Sequence, residues 1–275
     1  MNDFVSFAAE RGLIIDDGLV SGKWKRVKTV DHPRSKNGAY YFAGEYGHVQ
    51  NWAIQETPDT WFDNKPRTAF EQKELKIKMD VAKKSHSLER QALQRKASEK
   101  AKWILSQCEL SQHAYLDSKG FRDLLANVWH REDCDPLLVI PMYFRGNICG
   151  VQLIDIHGNK KFLKGQRTND ATFNFNARGQ NYLCEGYATA LSLKAVLKPP
   201  YSIHVCFSAG NILRVAKTLP DAIVCADNDA SGTGERVARV TGLKWFMPEK
   251  VGQDFNDFHQ EMGLFKASQW LRKQL

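Results

Sequence analysis

The first 107 residues contain no cysteine, and the six that follow, Cys108 to Cys225, never form a Cys-x-x-Cys pair. This argues against a disulfide framework and for reduced thiols in a cytoplasmic protein. Cys108, His113, His130 and Cys134 are the only plausible zinc set, but they lack the clasp spacing of a structural site, so no zinc is expected. No stretch approaches the roughly 18 consecutive apolar residues of a membrane span. The start, Met1-Asn2-Asp3-Phe4, lacks the basic and apolar blocks of a signal peptide, and no membrane partner is expected. A Gly-x-x-x-x-Gly-Lys-Ser/Thr loop is also missing, which excludes a P-loop motor from this chain. Finally, residues 67–105 contain neither glycine nor proline. Lacking both breakers and rich in Glu, Lys, Gln, Arg and Ala, they predict one long helix. Its apolar positions are sparse and its heptad imperfect, so it reads as a solvated spacer between modules.

What is present is basic. Lys and Arg number 39 against 31 Asp and Glu, a net charge of +8 over 275 residues, which suits a polyanionic partner. Residues 1–65 predict a helix over Phe4–Arg11 and then a small β-rich module, with a turn cluster at 31–38. Trp24, Tyr40, Tyr41, Phe42, Tyr46, Trp52 and Trp61 lie there among Lys23, Lys25, Arg26, Lys28, Arg34 and Lys36. Such interleaving suits single-stranded nucleic acid, because bases stack on rings while cations follow phosphates. Core filling explains any single ring equally simply. Trp24, Lys25, Arg26 and Tyr41 are the candidate DNA contacts.

Residues 108–178 predict paired strands around Arg145-Gly146-Asn147, followed by a turn and a basic stretch, Lys160, Lys161, Lys164 and Arg167. Residues 179–275 then alternate strand and helix, as a doubly wound parallel sheet does. Strands are expected at 182–184, 203–207, 222–226 and 243–246, and helices at 187–197, 211–219, 233–240 and 265–274. Two of the apolar runs stop at carboxylates, Tyr182-Leu183-Cys184-Glu185-Gly186 and Val224-Cys225-Ala226-Asp227-Asn228-Asp229. Strand ends of such a sheet share one edge, where ligands bind. Carboxylates without histidine make a hard oxygen site suited to Mg²⁺ or Mn²⁺ and to phosphoryl or nucleotidyl transfer. Asp227 and Asp229 alternate along an extended segment and so share a face. Asp254 is expected to face the site and Asp257 to cap the segment from Phe258. Ser208-Ala209-Gly210-Asn211 and Ser231-Gly232-Thr233-Gly234 offer backbone at helix starts, either for phosphate or simply as sharp connections.

Three ordered motifs, Glu185-Gly186-Tyr187-Ala188-Thr189-Ala190, Ala226-Asp227-Asn228-Asp229 and Gly252-Gln253-Asp254-Phe255-Asn256-Asp257, resemble the Toprim primases of phages and plasmids. The resemblance covers roughly residues 109–275. It implies an α/β fold there, a Toprim doubly wound parallel sheet (179–275) preceded by a small α+β primase sub-domain (108–178); composition and patterning add the helical linker (66–107) and the β-rich module (1–65). It further implies synthesis of short RNA primers on single-stranded DNA from NTPs, in the cytoplasm of a bacterial host, with a separate helicase as possible partner. Glu185, Asp227 and Asp229 would be catalytic, and these three with Asp254 would hold metal. Lys161, Lys164, Arg167 and Arg145 would bind nucleotide or template. A Toprim nuclease, or a non-catalytic single-strand-binding replication protein, would use the same features differently.

Overall fold

The computed structural model describes residues 3–52, 54–55, 57–176 and 178–275. It divides into two compact units, Met1–Val81 and Ala82–Leu275.

The first unit opens with α1 (Asp3–Glu10) and a five-stranded antiparallel meander. Its strands are β1 (Leu13–Ile14), β2 (Lys25–Thr29), β3 (Gly38–Phe42), β4 (Tyr46–Asn51) and β5 (Asp59–Phe62). Alternation along the strands sorts the aromatic cluster into two faces. On the inner face the fully buried Phe4 of α1 meets Tyr40, Phe42 and Trp61. Gly47 lets it sit there: a Cβ at that position would lie 2.3 Å from the Phe4 ring. On the outer face Trp24, Tyr41, Tyr46 and His48 form a second group, with the Trp24 and His48 planes 12° apart. Tyr40 is therefore a core residue, and Phe42 and Trp61 pack half-buried against that core. Full burial of such a ring stabilises by about 1.5–3 kcal/mol.

The helix α2 (Ala69–Ser106) starts at a capping box. Thr68 Oγ1 accepts from the Glu71 N–H at 3.3 Å, and Glu71 Oε2 accepts from the Thr68 N–H at 2.7 Å. The second unit continues with β6 (Glu109–Ser111), α3 (Ala114–Ser118), β7 (Ala126–Arg131), β8 (Cys134–Phe144), β9 (Asn147–Ile154) and β10 (Lys160–Phe162). These strands form an antiparallel sheet in the order β10-β9-β8-β7-β6. His113, read above as one member of a possible zinc set, is buried and caps α3 by accepting from the Tyr115 N–H at 3.2 Å. One face of this sheet, Val139 and Val151, packs on Ala101 and Ile104 of α2. The other, Leu138, Ile140, Met142 and Ile154, enters the core that follows.

That core belongs to a third sheet, of β11 (Phe173–Phe175), β12 (Gln180–Cys184), β13 (Tyr201–Val205), β14 (Ile223–Cys225) and β15 (Lys244–Phe246). Its order is β11-β13-β12-β14-β15, parallel except for β11. The helices are α4 (Tyr187–Val196), α5 (Ala209–Ala216), α6 (Thr233–Thr241) and α7 (Phe255–Gln274). Residues of α4 and α7 fill one face of the sheet, and those of α5 and α6 the other. The chain leaves β12 for β13 on one side and then crosses to β14 on the other, so the topological switch point lies at β12 and β14. The last helix begins ten residues before the expected Phe265, since Gly263 (φ +75°) joins two helical stretches across a kink.

Candidate active site

Glu185 follows β12 directly and Asp227 lies two residues past β14, so both stand at the switch point. Glu185 is anchored by its backbone, whose carbonyl accepts from the Phe207 N–H at 2.9 Å, and its carboxyl accepts from the N–H of Ala209 at the start of α5. Burial pushes its pKa up, against the charge of Lys160 and that hydrogen bond; the charge of Asp229 adds to the rise.

The segment 227–229 is held extended from behind. Asn228 bridges to Gln253, and its side-chain amide donates to the carbonyls of Pro248 (2.9 Å) and Glu249 (3.1 Å). With Asn228 turned to that loop, its two neighbours turn the other way. Gly234, in the first turn of α6, passes so close that a Cβ would lie 2.1 Å from the Asp227 carbonyl oxygen. Gly234 thus brings α6 against Asp227, the sharp connection that is one of the two uses open to this Ser-Gly-Thr-Gly run.

The two aspartates differ. Asp229 is satisfied by its own loop: Oδ1 accepts from the N–H of Ser231 (3.0 Å) and Thr233 (3.3 Å) and from the Ser231 hydroxyl, and Oδ2 from the N–H of Gly234 (2.8 Å). Burial opposes ionisation there, but these bonds outweigh it and hold the pKa below the ordinary carboxylate value. Asp227 Oδ1, in contrast, is buried with no hydrogen-bond partner. Burial, then the charges of Glu185 and Asp254, push its pKa up to about 7; Lys160 opposes the rise and Asp229 adds slightly to it. An orphaned buried carboxylate oxygen beside other carboxylates is relieved either by a proton or by a hard cation. The donor chemistry of Asp227 therefore fits a hard cation such as Mg²⁺. Among the described residues no three His, Cys, Asp or Glu side chains converge as a ready-made cation cage. Two or fewer protein carboxylates plus substrate phosphates and water is the ordinary Mg²⁺ arrangement. Asp254 contributes its charge, while its Oδ1 caps α7 by accepting from the Asp257 N–H at 2.8 Å. Asp257 does not cap a segment from Phe258 but lies inside the first turn of α7, where it completes the capping box of Asp254 and meets Lys119 at 3.2 Å.

Among the basic candidates, register decides which face each serves. Lys160 pairs with Ile154, on the face turned to the parallel-sheet core, and Lys161 pairs with Leu153, on the face turned to α2. Phe162, on the side of Lys160, meets Phe207 edge-on at 6.3 Å. Lys160 is thus the cation whose charge is felt at both Glu185 and Asp227. Period-2 alternation is the signal that distinguishes it from Lys161, but only once the pairing with β9 is known. Lys164 occupies a turn with Gly165 (φ +78°) beside Leu93 of α2. Arg167 stacks on Phe144 at 3.5 Å and pairs with Asp170 at 2.9 Å. Arg145 takes the left-handed turn position (φ +50°) with its guanidinium 5.2 Å from the same ring. Both line a cleft of about 310 Å³ with Arg95 and Asn147. In the first unit Trp24, Tyr41 and Arg26 share the outer face, with Arg26 4.0 Å over Trp52, whereas Lys25 projects with Tyr40 to the other side and meets Asp17 at 3.6 Å.

Residues 180–264 match the family model of the Toprim domain. The chain carries a Toprim domain. Toprim domains generally bind divalent metals such as Mg²⁺. Several solved structures are similar, among them the following two. One is the structure of bacteriophage T7 lagging-strand DNA polymerase interacting with primase domains of two gp4 subunits bound to an RNA/DNA hybrid and dTTP. It is 15% identical over 61% of this chain and 91% of the matched one, with a TM-score of 0.45. The other, a DNA primase domain from Pseudomonas aeruginosa, is 14% identical over 54% of this chain and 55% of that one, with a TM-score of 0.36. No curated protein matches the chain in sequence. Among the described residues no helix is long and apolar enough to cross a membrane.

Proposed function

We propose that this protein is a DNA primase of the Toprim type, which joins NTPs into short RNA primers on single-stranded DNA in phage or plasmid replication. The observation that carries the reading is the buried, unpartnered Asp227 Oδ1 beside Glu185 at the switch point of a Toprim sheet. In this reading Asp227 holds Mg²⁺ or Mn²⁺, with Glu185 as second ligand or as the group that takes the proton of the attacking 3′ hydroxyl. A bound cation supplies neutralisation of phosphate charge and alignment of the attacking oxygen. Asp229 shapes the loop and adds negative field, and Asp254 does the same from the end of α7. Lys160 meets the triphosphate, while Lys161, Lys164, Arg145 and Arg167 follow nucleotide or template along the neighbouring sheet. The outer face of the N-terminal unit, Trp24, Tyr41 and Arg26, stacks on and tracks the single strand.

Burial moves the pKa of Glu185 upward, the direction that favours proton transfer by a carboxyl group. A nuclease would need the same carboxylates but no triphosphate contact. Incubation with labelled NTPs, Mg²⁺ and single-stranded DNA, beside a nuclease assay on the same strand, separates the two: template-dependent RNA supports the primase, and shortened DNA without RNA overturns it.

A further inference from the structure

The long helix α2 (Ala69–Ser106) uses one side for its own chain. Leu75, Ala97, Ala101 and Ile104 on that side are at most 8% exposed. The opposite side should then be polar, as expected of a solvated spacer. It is not. Phe70, Ile77, Val81 and Leu88 are 70%, 54%, 63% and 57% exposed. At about 100° per residue, these four fall within roughly 20° of one line along the helix. They form a narrow apolar stripe, and single exposed leucines are ordinary whereas an aligned row is not.

The stripe is self-complementary. In heptad terms Phe70 and Ile77 occupy d positions, and Val81 and Leu88 occupy a positions. An antiparallel pair of such helices sets a against d. One register then places Phe70 opposite Leu88 and Ile77 opposite Val81 of the other copy, each twice about a two-fold axis. The same register sets the two polar members of the seam, Glu74 (a) and Lys84 (d), opposite each other as ion pairs. A parallel pairing instead aligns Glu74 with Glu74 and Lys84 with Lys84. Like charges in the seam disfavour it. At the two flanks Lys78 and Asp80 would each approach their own copy; Lys78 already lies 3.7 Å from Glu45 of its own chain, which offsets its charge.

We propose that α2 is a homodimerisation surface, on which a second copy of this chain lays its own α2 antiparallel across Phe70–Leu88. The contact is isologous, as closed two-fold assemblies require. It spans about five turns, roughly 27 Å of helix. An interface of this length is small by the standard of stable complexes, so the dimer is concentration-dependent. The inference does not rest on the proposed enzymatic activity.

The test uses the full chain. Sedimentation velocity from about 5 to about 200 µM should show a monomer passing to a dimer, a range appropriate to a small interface. Ile77→Asp, at an exposed position that leaves each fold intact by circular dichroism, should weaken association at least tenfold; Glu74→Lys should weaken it and Glu74→Lys with Lys84→Glu restore it. The register is read by disulfide trapping in a Cys134→Ser background, because Cys134 is the exposed native thiol among the described cysteines. Chains carrying Ile77→Cys mixed with chains carrying Val81→Cys should cross-link several-fold faster than either variant alone. A monomer throughout the range, a dimer indifferent to Ile77→Asp, or faster cross-linking of Ile77→Cys with itself would each overturn the proposal.

Discussion

Replacing Asp227 by asparagine keeps the side chain's shape and removes its charge, and the geometry predicts opposite effects on stability and on chemistry. The folded carboxyl titrates at about 7, pushed there by burial and by the charges of Glu185 and Asp254. In the unfolded chain it titrates at about 3.9. Between these values the folded chain keeps a proton that the unfolded chain has lost, so stability falls as pH rises through that window. Across that window the loss is about 4 kcal/mol as an upper bound, and relaxation around the ionised group reduces it to on the order of 1–4 kcal/mol. Asp227→Asn has no such loss. In urea unfolding without divalent metal at pH 8, the variant should be more stable than the native chain by that amount, while at pH 4.5 the two should nearly coincide. Added Mg²⁺ should raise the native midpoint at pH 8 and leave that of the variant unchanged. A variant equally or less stable at pH 8 would refute the reasoning, because it would mean that Asp227 is satisfied in solution and carries no strain for a cation to relieve.

Gly234→Ala should push α6 away from Asp227, since its Cβ would meet the Asp227 carbonyl at 2.1 Å; loss of about 2 kcal/mol in unfolding and loss of metal response together would show it. Lys160→Ala should raise the apparent KM for NTP by about tenfold or more while Lys161→Ala changes it little, and steady-state kinetics with equal effects would contradict the register argument. Trp24→Ala and Tyr41→Ala should each weaken single-strand binding by about 1–3 kcal/mol in fluorescence anisotropy, with the Mg²⁺-induced rise in stability untouched. Trp61→Ala, by contrast, should destabilise the first unit, though by less than the loss of about 3–5 kcal/mol for a fully buried ring, because that ring packs half-buried against the core.

Much of the Toprim sheet is legible in the sequence because β12, β13 and β14 are apolar runs ended by a carboxylate or a small residue, and the helix after each restarts the apolar pattern. The strand before Glu185 and the helix from Tyr187 fall where that pattern puts them. The start of α7 is not legible in the same way: Gly252 and Gly263 make the stretch between them look like a loop, whereas the Asp254–Asp257 capping box starts a helix there. Sequence alone assigns Asp227 and Asp229 one shared role. Their separation comes from the turn at Ser231–Gly234, whose N–H groups close on Asp229 and leave Asp227 unpartnered. Lys160 and Lys161 are chemically identical neighbours, and only strand pairing tells which faces the acids. Among the aromatics, alternation predicts two faces, but which one α1 covers is a tertiary fact.

The central claim is that Asp227 and its neighbours perform template-directed nucleotidyl transfer. Purified protein incubated with single-stranded DNA, Mg²⁺ and radiolabelled NTPs, and resolved on a denaturing gel, tests it directly. Short RNA products that require the DNA template and vanish with Asp227→Asn are the expected result. Products undiminished in that variant, or no RNA from a folded, Mg²⁺-binding native chain across varied templates, would contradict it.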